Sequence, residues 1–144
     1  ENTTEINLNK LMKSLVVDFN NDQISLIENK EAIKLKGRPT ALRRSFENII
    51  QNGLIYGNRV TIEIKKGIKR VLVLIEDDGP GIPEDQYKNV FKPFFRLDKS
   101  RSLNKSGVGL GLAIVEDIIN SHGGNIQLNR SKSDGLQVKI SLPF

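Results

Sequence analysis

The sequence predicts a two-layer α+β sandwich, in which a mixed, mostly antiparallel sheet carries about three helices on one face. Three observations support this class. Two segments show the apolar spacing of amphipathic helices, and a third helical segment follows a glycine cluster. The strands occur mostly as neighbouring pairs, as in hairpins. The 144 residues, 38% of them hydrophobic and 27% charged, suffice for one domain with its own core, which we assign to residues 1–144.

Composition excludes several classes of site. The chain has no cysteine, which excludes disulfides and cysteine-ligated metals, and its one histidine argues against a histidine-built zinc site. No apolar run is long enough to span a membrane, and the polar start does not resemble a signal peptide. These features fit a cytoplasmic domain.

The first third of the chain predicts two helices and two short strands. Apolar spacing predicts a helix over residues 8–19, and strands are expected at 24–27 and 32–35, joined by the polar turn 28–31. Residues 40–56 form the longest predicted helix. Its apolar face consists of Leu42, Phe46, Ile49, Ile50 and Leu54.

The middle of the chain predicts a hairpin followed by a long loop. Residues 60–64 alternate between apolar and polar, and they should pair with the apolar strand 70–75. Acidic residues follow a proline at the start of 83–91, which predicts a short helix. Residues 92–107 have no periodicity, and a loop of this length is usually a lid or a binding loop.

The end of the chain predicts a helix and two strands. The helix should run from 109 to 121 and end at His122, for which we expect a structural role because glycines follow it. Strands are expected at 126–128 and 136–142, joined by the turn 133–135.

Two glycine-containing stretches are the main candidates for a binding site. An apolar strand ends at Asp77, and a carboxylate at this point can accept a hydrogen bond from an amino group such as that of adenine. Gly79 and Gly81 follow, and residues without Cβ allow the backbone to approach a flat ligand closely. The stretch 107–112 contains three more glycines and could close over the same ligand.

Two asparagines on the longest predicted helix form a third candidate. Asn48 and Asn52 are four residues apart, so their side chains share one side of the helix. Asparagine is unfavourable inside helices because its side chain competes for backbone hydrogen bonds. The pair is therefore either functional or simply exposed to solvent.

The net charge of +5 is concentrated in the long loop. Its residues 92–105 include one acid and five bases, which are Lys92, Arg96, Lys99, Arg101 and Lys105. Such a basic loop indicates a phosphate-rich ligand. A nucleic-acid surface is the less favoured alternative, since no recognised nucleic-acid motif is present.

Taken in order, these motifs resemble the ATP-binding catalytic domain of sensor histidine kinases, on the Bergerat (GHKL) fold and closest to the EnvZ type. The resemblance covers essentially the whole chain. Residues 48–52 with 56–57 resemble the N box, 77–81 the D-x-G-x-G box, 91–95 the F box and 107–112 the second glycine box. Each motif alone is a weak signal, but chance rarely supplies all four in this order.

The resemblance implies ATP and Mg²⁺ as ligands. In the family, the first aspartate of the D-x-G-x-G box accepts the adenine amine, and the second asparagine of the N box ligates Mg²⁺. The implied nucleotide contacts are Asn52, Tyr56, Asp77, Gly79, Gly81, Ile82, Gly107, Val108, Gly109, Leu110, Gly111 and Leu112, with Asn52 also on the metal, and the implied catalytic residues are Asn48, Arg96 and Arg101. The helix start at the second glycine box would favour phosphate.

Three departures from the family pattern stand out. Ile55 occupies the usual position of a lysine or arginine that reaches toward the phosphates, and Gly53 replaces the usual alanine, at a cost of up to about 1 kcal/mol in helix stability. The phosphoacceptor histidine of the family is not found in this chain, and His122 does not match its pattern. The implied partners are therefore a separate histidine-bearing domain and a response regulator, but not a nucleic acid. This fragment is expected to be monomeric, within a homodimeric inner-membrane sensor.

Three alternatives remain open. Relatives on the same fold hydrolyse ATP with a glutamate one helical turn before the magnesium asparagine, but here that position is Asn48, which cannot serve as a base. The adjacent Glu47 points about 100° away around the helix. The second alternative is a serine kinase of the anti-sigma-factor type. The third is a degenerate regulatory or docking module, which Ile55 would favour.

Overall fold

A computed structural model of the protein describes residues 1–93 and 111–144. Within these ranges the chain forms three α-helices and seven β-strands. The helices are α1 (Leu8–Phe19), α2 (Pro39–Tyr56) and α3 (Leu112–Ser121). The strands are β1 (Thr4–Asn7), β2 (Ile24–Ile27), β3 (Lys34–Gly37), β4 (Val60–Lys66), β5 (Arg70–Asp77), β6 (Asn125–Arg130) and β7 (Leu136–Pro143).

Five of the described strands form one sheet in the order β2-β4-β5-β7-β6. The β2–β4 pair is parallel, and the other three pairs are antiparallel. The two predicted hairpins, β4–β5 and β6–β7, are confirmed by their registers. This is the mixed, mostly antiparallel sheet that the sequence predicts.

The pairing of the two short N-terminal strands differs from the prediction. β2 and β3 do not form a hairpin, because β2 pairs with β4 and β3 pairs with β1 in a separate two-stranded sheet. Strand β1 was not predicted, and β3 runs over Lys34–Gly37 instead of 32–35. A local sequence pattern predicts that a segment is a strand but not which strand it pairs with. The partners of β2 and β3 lie in other parts of the chain.

The helices begin and end where capping rules place them. The side chain of Asn7 accepts a hydrogen bond from the Lys10 N–H at the start of α1, and Asn20 ends that helix with a φ of 47°. Pro39 occupies the first turn of α2, where the missing N–H is not needed. These local signals explain why the sequence predicts α1 and α2 within one residue of their observed bounds.

The described helices pack against one face of the five-stranded sheet and share a single hydrophobic core with it. Along β4 the buried Val60, Ile62 and Ile64 face this core, whereas Thr61 and Glu63 lie on the opposite, partly exposed face. The two-layer α+β class is therefore confirmed. In the described part of the chain, no helix is both long and apolar enough to cross a membrane.

Two predicted helices have different forms from those expected. The segment 83–91 contains two single 3₁₀ turns, Glu84–Gln86 and Asn89–Phe91, in place of one helix. Such turns are common in short connections, where few residues are available for α-helical hydrogen bonds. Helix α3 begins at Leu112 instead of residue 109, because Gly111 precedes it in the left-handed conformation.

Candidate functional site

A pocket lies between α2, the end of β5 and the start of α3. Its described lining consists of Ile49, Asn52, Gly53, Tyr56, Ile75, Asp77, Pro80, Gly81, Ile82, Leu112, Leu136 and Val138. Most of these side chains are aliphatic, and Asp77 is the acidic residue among them. A mostly apolar slot with one carboxylate suits a flat heterocycle that carries an amino group.

Asp77 is the last residue of β5, and its carboxylate is fixed by backbone groups. Oδ1 accepts hydrogen bonds from the N–H groups of Gly79 at 2.9 Å and Leu136 at 3.2 Å. Oδ2 lies beside Gly53, where an added Cβ would come within 3.7 Å of it. Since Gly53 lines the pocket, this second oxygen is placed to accept from a ligand.

Burial raises the pKa of the Asp77 carboxyl. The hydrogen bonds from Gly79 and Leu136 oppose this rise, and the nearby charge of Asp78 adds to it. No ion pair involving Asp77 occurs among the described residues. A desolvated carboxylate of this kind interacts strongly with a donor in the pocket, because water screens little of the interaction.

The glycines after Asp77 allow close packing of the loop. A Cβ on Gly79 would lie 2.8 Å from the carbonyl oxygen of Tyr56, at the end of α2. Gly81 has a φ of 74°, and its Cβ would lie 3.0 Å from the carbonyl oxygen of Asp134. Gly81 and Ile82 line the pocket, whereas Gly79 is not among the described residues that do. The loop thus fits between α2 and the turn that joins β6 to β7.

Asn48 and Asn52 contact each other along α2. The Asn52 Nδ2 donates to the Asn48 Oδ1 at 3.1 Å, so the pair fixes the orientation of both amides. Asn52 lines the pocket. The Asn48 Nδ2 packs against Gly111, where an added Cβ would lie 2.5 Å from it. Asn48 therefore connects the candidate metal ligand to the start of α3.

Gly111 and Leu112 form the described start of α3. Gly111 has a φ of 65°, and no side chain of the described residues caps the first N–H groups of the helix. Leu112 is buried and lines the pocket, so the N-terminus of α3 lies at the pocket edge. Such a terminus favours anionic groups.

The remaining predicted contacts lie outside the described residues. These are Arg96, Arg101, Gly107, Val108, Gly109 and Leu110. Within the described ranges, the pocket brings together Asn52, Tyr56, Asp77, Gly81, Ile82 and Leu112. These residues come from α2, β5, the loop after β5 and α3, as the motif order implies.

A family model described as histidine kinase-, DNA gyrase B- and HSP90-like ATPase matches residues 37–144. The chain belongs to this family. Sensor histidine kinase GtrS of Pseudomonas aeruginosa is 34% identical over 143 residues, which are 99% of this chain and 29% of GtrS. The chain thus spans less than a third of that curated relative.

Solved histidine kinase domains share the fold of this member of the family. The catalytic domain of histidine kinase ThkA is 27% identical with a TM-score of 0.83, over 99% of this chain and 96% of that one. The histidine kinase domain of the E. coli osmosensor EnvZ is 32% identical with a TM-score of 0.75, over 96% of this chain and 87% of that one. The chain is thus an ATP-binding domain of the histidine kinase type.

Two side chains of this histidine kinase-like domain make structural contacts, as the sequence predicts for His122. His122 accepts a hydrogen bond from the Arg38 N–H at Nε2, 3.0 Å away, and its Nδ1 lies 2.7 Å from the Ile118 carbonyl oxygen. The tautomer with the proton on Nδ1 satisfies both contacts. Glu47 accepts from the Arg43 guanidinium at 3.1 Å, and the same guanidinium donates to the Ser14 hydroxyl of α1.

The sequence did not identify several residues that shape the ATP site. The Asp78 Oδ1 accepts from the N–H groups of Asn58 at 2.7 Å and Arg59 at 2.8 Å, and these hydrogen bonds lower the pKa of its carboxyl. They tie the loop after α2 to the end of β5. The turn between β6 and β7 also contacts Asp77, through residues more than fifty positions away. No local pattern marks such contacts.

Proposed function

We propose that residues 1–144 are the catalytic and ATP-binding domain of a two-component sensor kinase. The domain binds Mg-ATP and transfers the γ-phosphate to a histidine on a separate dimerisation domain, for relay to a response regulator. One observation carries this proposal: the Asp77 carboxylate is held by backbone N–H groups at the end of an apolar pocket that suits adenine.

Adenine recognition follows from the placement of this carboxylate. The exocyclic amine of adenine donates to Asp77, and the aliphatic side chains contact the two faces of the ring. Guanine carries a carbonyl in place of this amine, and it would set an acceptor against an acceptor. A site built around a buried acceptor therefore selects adenine nucleotides.

The phosphates would extend from the pocket toward Asn52 and the start of α3. Mg²⁺ takes oxygen ligands and keeps several waters, so one amide oxygen suits a site completed by nucleotide phosphates. The hydrogen bond from the Asn52 Nδ2 to Asn48 is compatible with this role, because it turns the other end of the amide away from Asn48. Bound Mg²⁺ would neutralise phosphate charge, and Arg96 and Arg101 are proposed to stabilise charge on the transferred group.

Transfer to an imidazole is favoured over hydrolysis. The position one helical turn before Asn52 carries Asn48, whose amide cannot accept a proton from water. Glu47 is engaged by Arg43 on another side of the helix. An incoming histidine brings its own nucleophilic nitrogen, which bonds to the γ-phosphorus while the bond to the bridging oxygen breaks and ADP leaves. Catalysis then consists of positioning and charge stabilisation.

The partners and location of the full protein are part of the same proposal. The phosphoacceptor belongs to another domain of the same protein, and the response regulator receives the phosphate. We infer a cytoplasmic position for this domain in an inner-membrane sensor, which dimerises through its histidine-bearing domain, while residues 1–144 alone are monomeric.

Calorimetric titration of ATP tests nucleotide binding, with Asp77→Asn as the decisive variant. Wild-type protein should bind ATP more tightly with Mg²⁺ than without it, and Asp77→Asn should lose binding. Asp85→Asn, which changes an exposed acid in the next turn, is the matched control and should bind as wild type does. Incubation of the loaded domain with the histidine-bearing domain should then give a phosphohistidine that is stable to base and labile to acid.

The main alternative is a regulatory module with degenerate catalysis, and Ile55 favours it. Hydrophobic Ile55 stands at the family's usual lysine or arginine position, so one phosphate contact is missing. Absence of binding at millimolar ATP would move this alternative to first place. Binding followed by transfer to serine would instead favour the anti-sigma-factor type of kinase.

A further inference from the structure

The turn that joins β6 to β7 packs directly against Asp77. We refer to the segment from Ser131 to Leu136, the first residue of β7, as the 131–136 turn. The Ser131 hydroxyl donates to the main-chain carbonyl of Asp77 at 2.8 Å and accepts from the Gly135 N–H at 2.8 Å. The Ser131 N–H donates in turn to the Gly135 carbonyl at 3.0 Å. One buried hydroxyl thus links the two ends of the turn to the end of β5.

The approach of the turn to Asp77 is unusually close at Gly135. An added Cβ there would lie 2.2 Å from the Asp77 carbonyl oxygen and 2.6 Å from its Oδ1. The next residue, Leu136, donates its N–H to the same Oδ1. Regular pairing between β5 and β7 reaches only Glu76 and Gln137. Beyond that pair, the 131–136 turn replaces the strand ladder in holding Asp77.

We propose that Ser131 is a positioning residue for adenine recognition, which it controls by fixing the end of β5 and therefore the Asp77 carboxylate. This inference rests on the proposed function of the pocket. Ser131 does not contact the ligand itself: it is 5% exposed and is not among the described residues that line the pocket. Its effect passes through the Asp77 main chain and the Gly135–Leu136 backbone.

The physical reason is the cost of unpaired buried polar groups. Ser131→Ala removes the hydroxyl that accepts from the buried Gly135 N–H, and it removes the shorter of two hydrogen bonds to the Asp77 carbonyl. The exposed Ser133 hydroxyl also donates to this carbonyl, at 3.2 Å, and lies 3.3 Å from the Ser131 hydroxyl. It would still satisfy the carbonyl in Ser131→Ala, but it does not accept from the Gly135 N–H, which then has no partner among the described residues. The turn can then move to find new partners, and the Leu136 N–H moves with it. The carboxylate loses the orientation that presents Oδ2 to the pocket.

The test measures how strongly the protein recognises the adenine amine. The full 144-residue chain is titrated with ADP and with purine riboside 5′-diphosphate, which lacks only the exocyclic amine. The dissociation constant of purine riboside 5′-diphosphate divided by that of ADP reports the contact between the amine and Asp77. Ser131→Ala should lower this ratio by about two- to tenfold, the range expected when a hydrogen bond is misaligned or lost. If Ser131 had a purely structural role, Ser131→Ala would weaken the binding of both ligands equally and leave the ratio unchanged.

Ser141→Ala is the matched control. Ser141 is a second buried serine, within β7, and its hydroxyl accepts a hydrogen bond from Arg70, away from the pocket. This variant should lose stability but keep the wild-type ratio. Gly135→Ala displaces the turn without removing a hydroxyl and should lower the ratio as Ser131→Ala does. It therefore provides the test if Ser131→Ala does not fold.

The outcomes separate the two levels of the proposal. If wild-type protein binds neither ligand, the proposed nucleotide function fails. If wild type prefers ADP but the folded Ser131→Ala and Gly135→Ala variants keep its ratio, the function stands and the role of Ser131 is overturned. A lowered ratio in Ser141→Ala would also overturn it, because general destabilisation would then explain the effect.

Discussion

Replacing Gly53 by alanine should destabilise this domain, although alanine favours helices. In an exposed helix interior the change gains about 1 kcal/mol. Here the new Cβ would lie 2.7 Å from the Val60 Cγ2 and 3.3 Å from the Asp77 Cβ. Val60 is fully buried. Overpacking at such a site costs about 1–3 kcal/mol, so the free energy of unfolding should fall by up to about 2 kcal/mol.

A double-mutant cycle tests whether Val60 causes this loss. Val60→Ala removes the methyl group that Gly53→Ala would strike, so the two changes should be less harmful together than their sum, by about 1 kcal/mol or more. Urea unfolding followed by circular dichroism gives the four free energies. Gln51→Ala, an exposed change in the same helix, should stay within about 0.5 kcal/mol of wild type. If Gly53→Ala proved more stable than wild type, the packing explanation would be wrong.

Three further predictions concern charge and the start of α3. Because burial raises the pKa of Asp77, the folded state holds that proton more tightly than the unfolded state, and ionisation costs stability as pH rises through this window. Asp77→Asn should therefore be at least as stable as wild type at neutral pH in urea unfolding, while losing ADP binding in titration. Hydrogen bonds lower the pKa of Asp78, so its contribution is present at neutral pH and lost as pH falls; the stability gap between wild type and Asp78→Asn should shrink on acidification in the same assay. Gly111→Ala places a methyl group against Asn48 at a positive φ, which costs about 1–2 kcal/mol, and it should weaken calorimetric Mg-ATP binding more than ATP binding without Mg²⁺.

The sequence predicts those parts of the fold that local patterns determine. Helices α1 and α2 and the β4–β5 and β6–β7 hairpins depend on apolar spacing, caps and turns that lie within each segment. Strand β1 and the partners of β2 and β3 depend on contacts between distant segments, and the spacing of side chains does not encode them. The acidic residues after Pro83 predict one helix over 83–91, but the segment forms two separate 3₁₀ turns.

The candidate site shows the same division. Asp77 and Asn52 could be identified because each combines an unusual residue type with a local position, at a strand end or inside a helix. Asp78 and Ser131 could not, since each acts by hydrogen bonds to backbone groups that are distant in sequence. A second aspartate beside a glycine and a serine in a turn are ordinary loop residues until the partner segment is known.

Three glycines from separate elements surround the Asp77 residue, and this arrangement explains how a buried carboxylate stays available to a ligand. Added Cβ atoms on Gly53, Gly79 and Gly135 would each approach Asp77, at 3.3 Å from Cβ, 3.1 Å from Oδ1 and 2.2 Å from the carbonyl oxygen. With no side chains there, backbone N–H groups reach the carboxylate and fix one oxygen. A lysine or arginine at any of these positions would neutralise the charge and compete with the adenine amine for Oδ2. The glycines therefore do more than permit tight turns: they leave this acceptor without a competing cation among the described residues. Burial of the carboxyl raises its pKa, and the carboxylate keeps its capacity to select an amine donor.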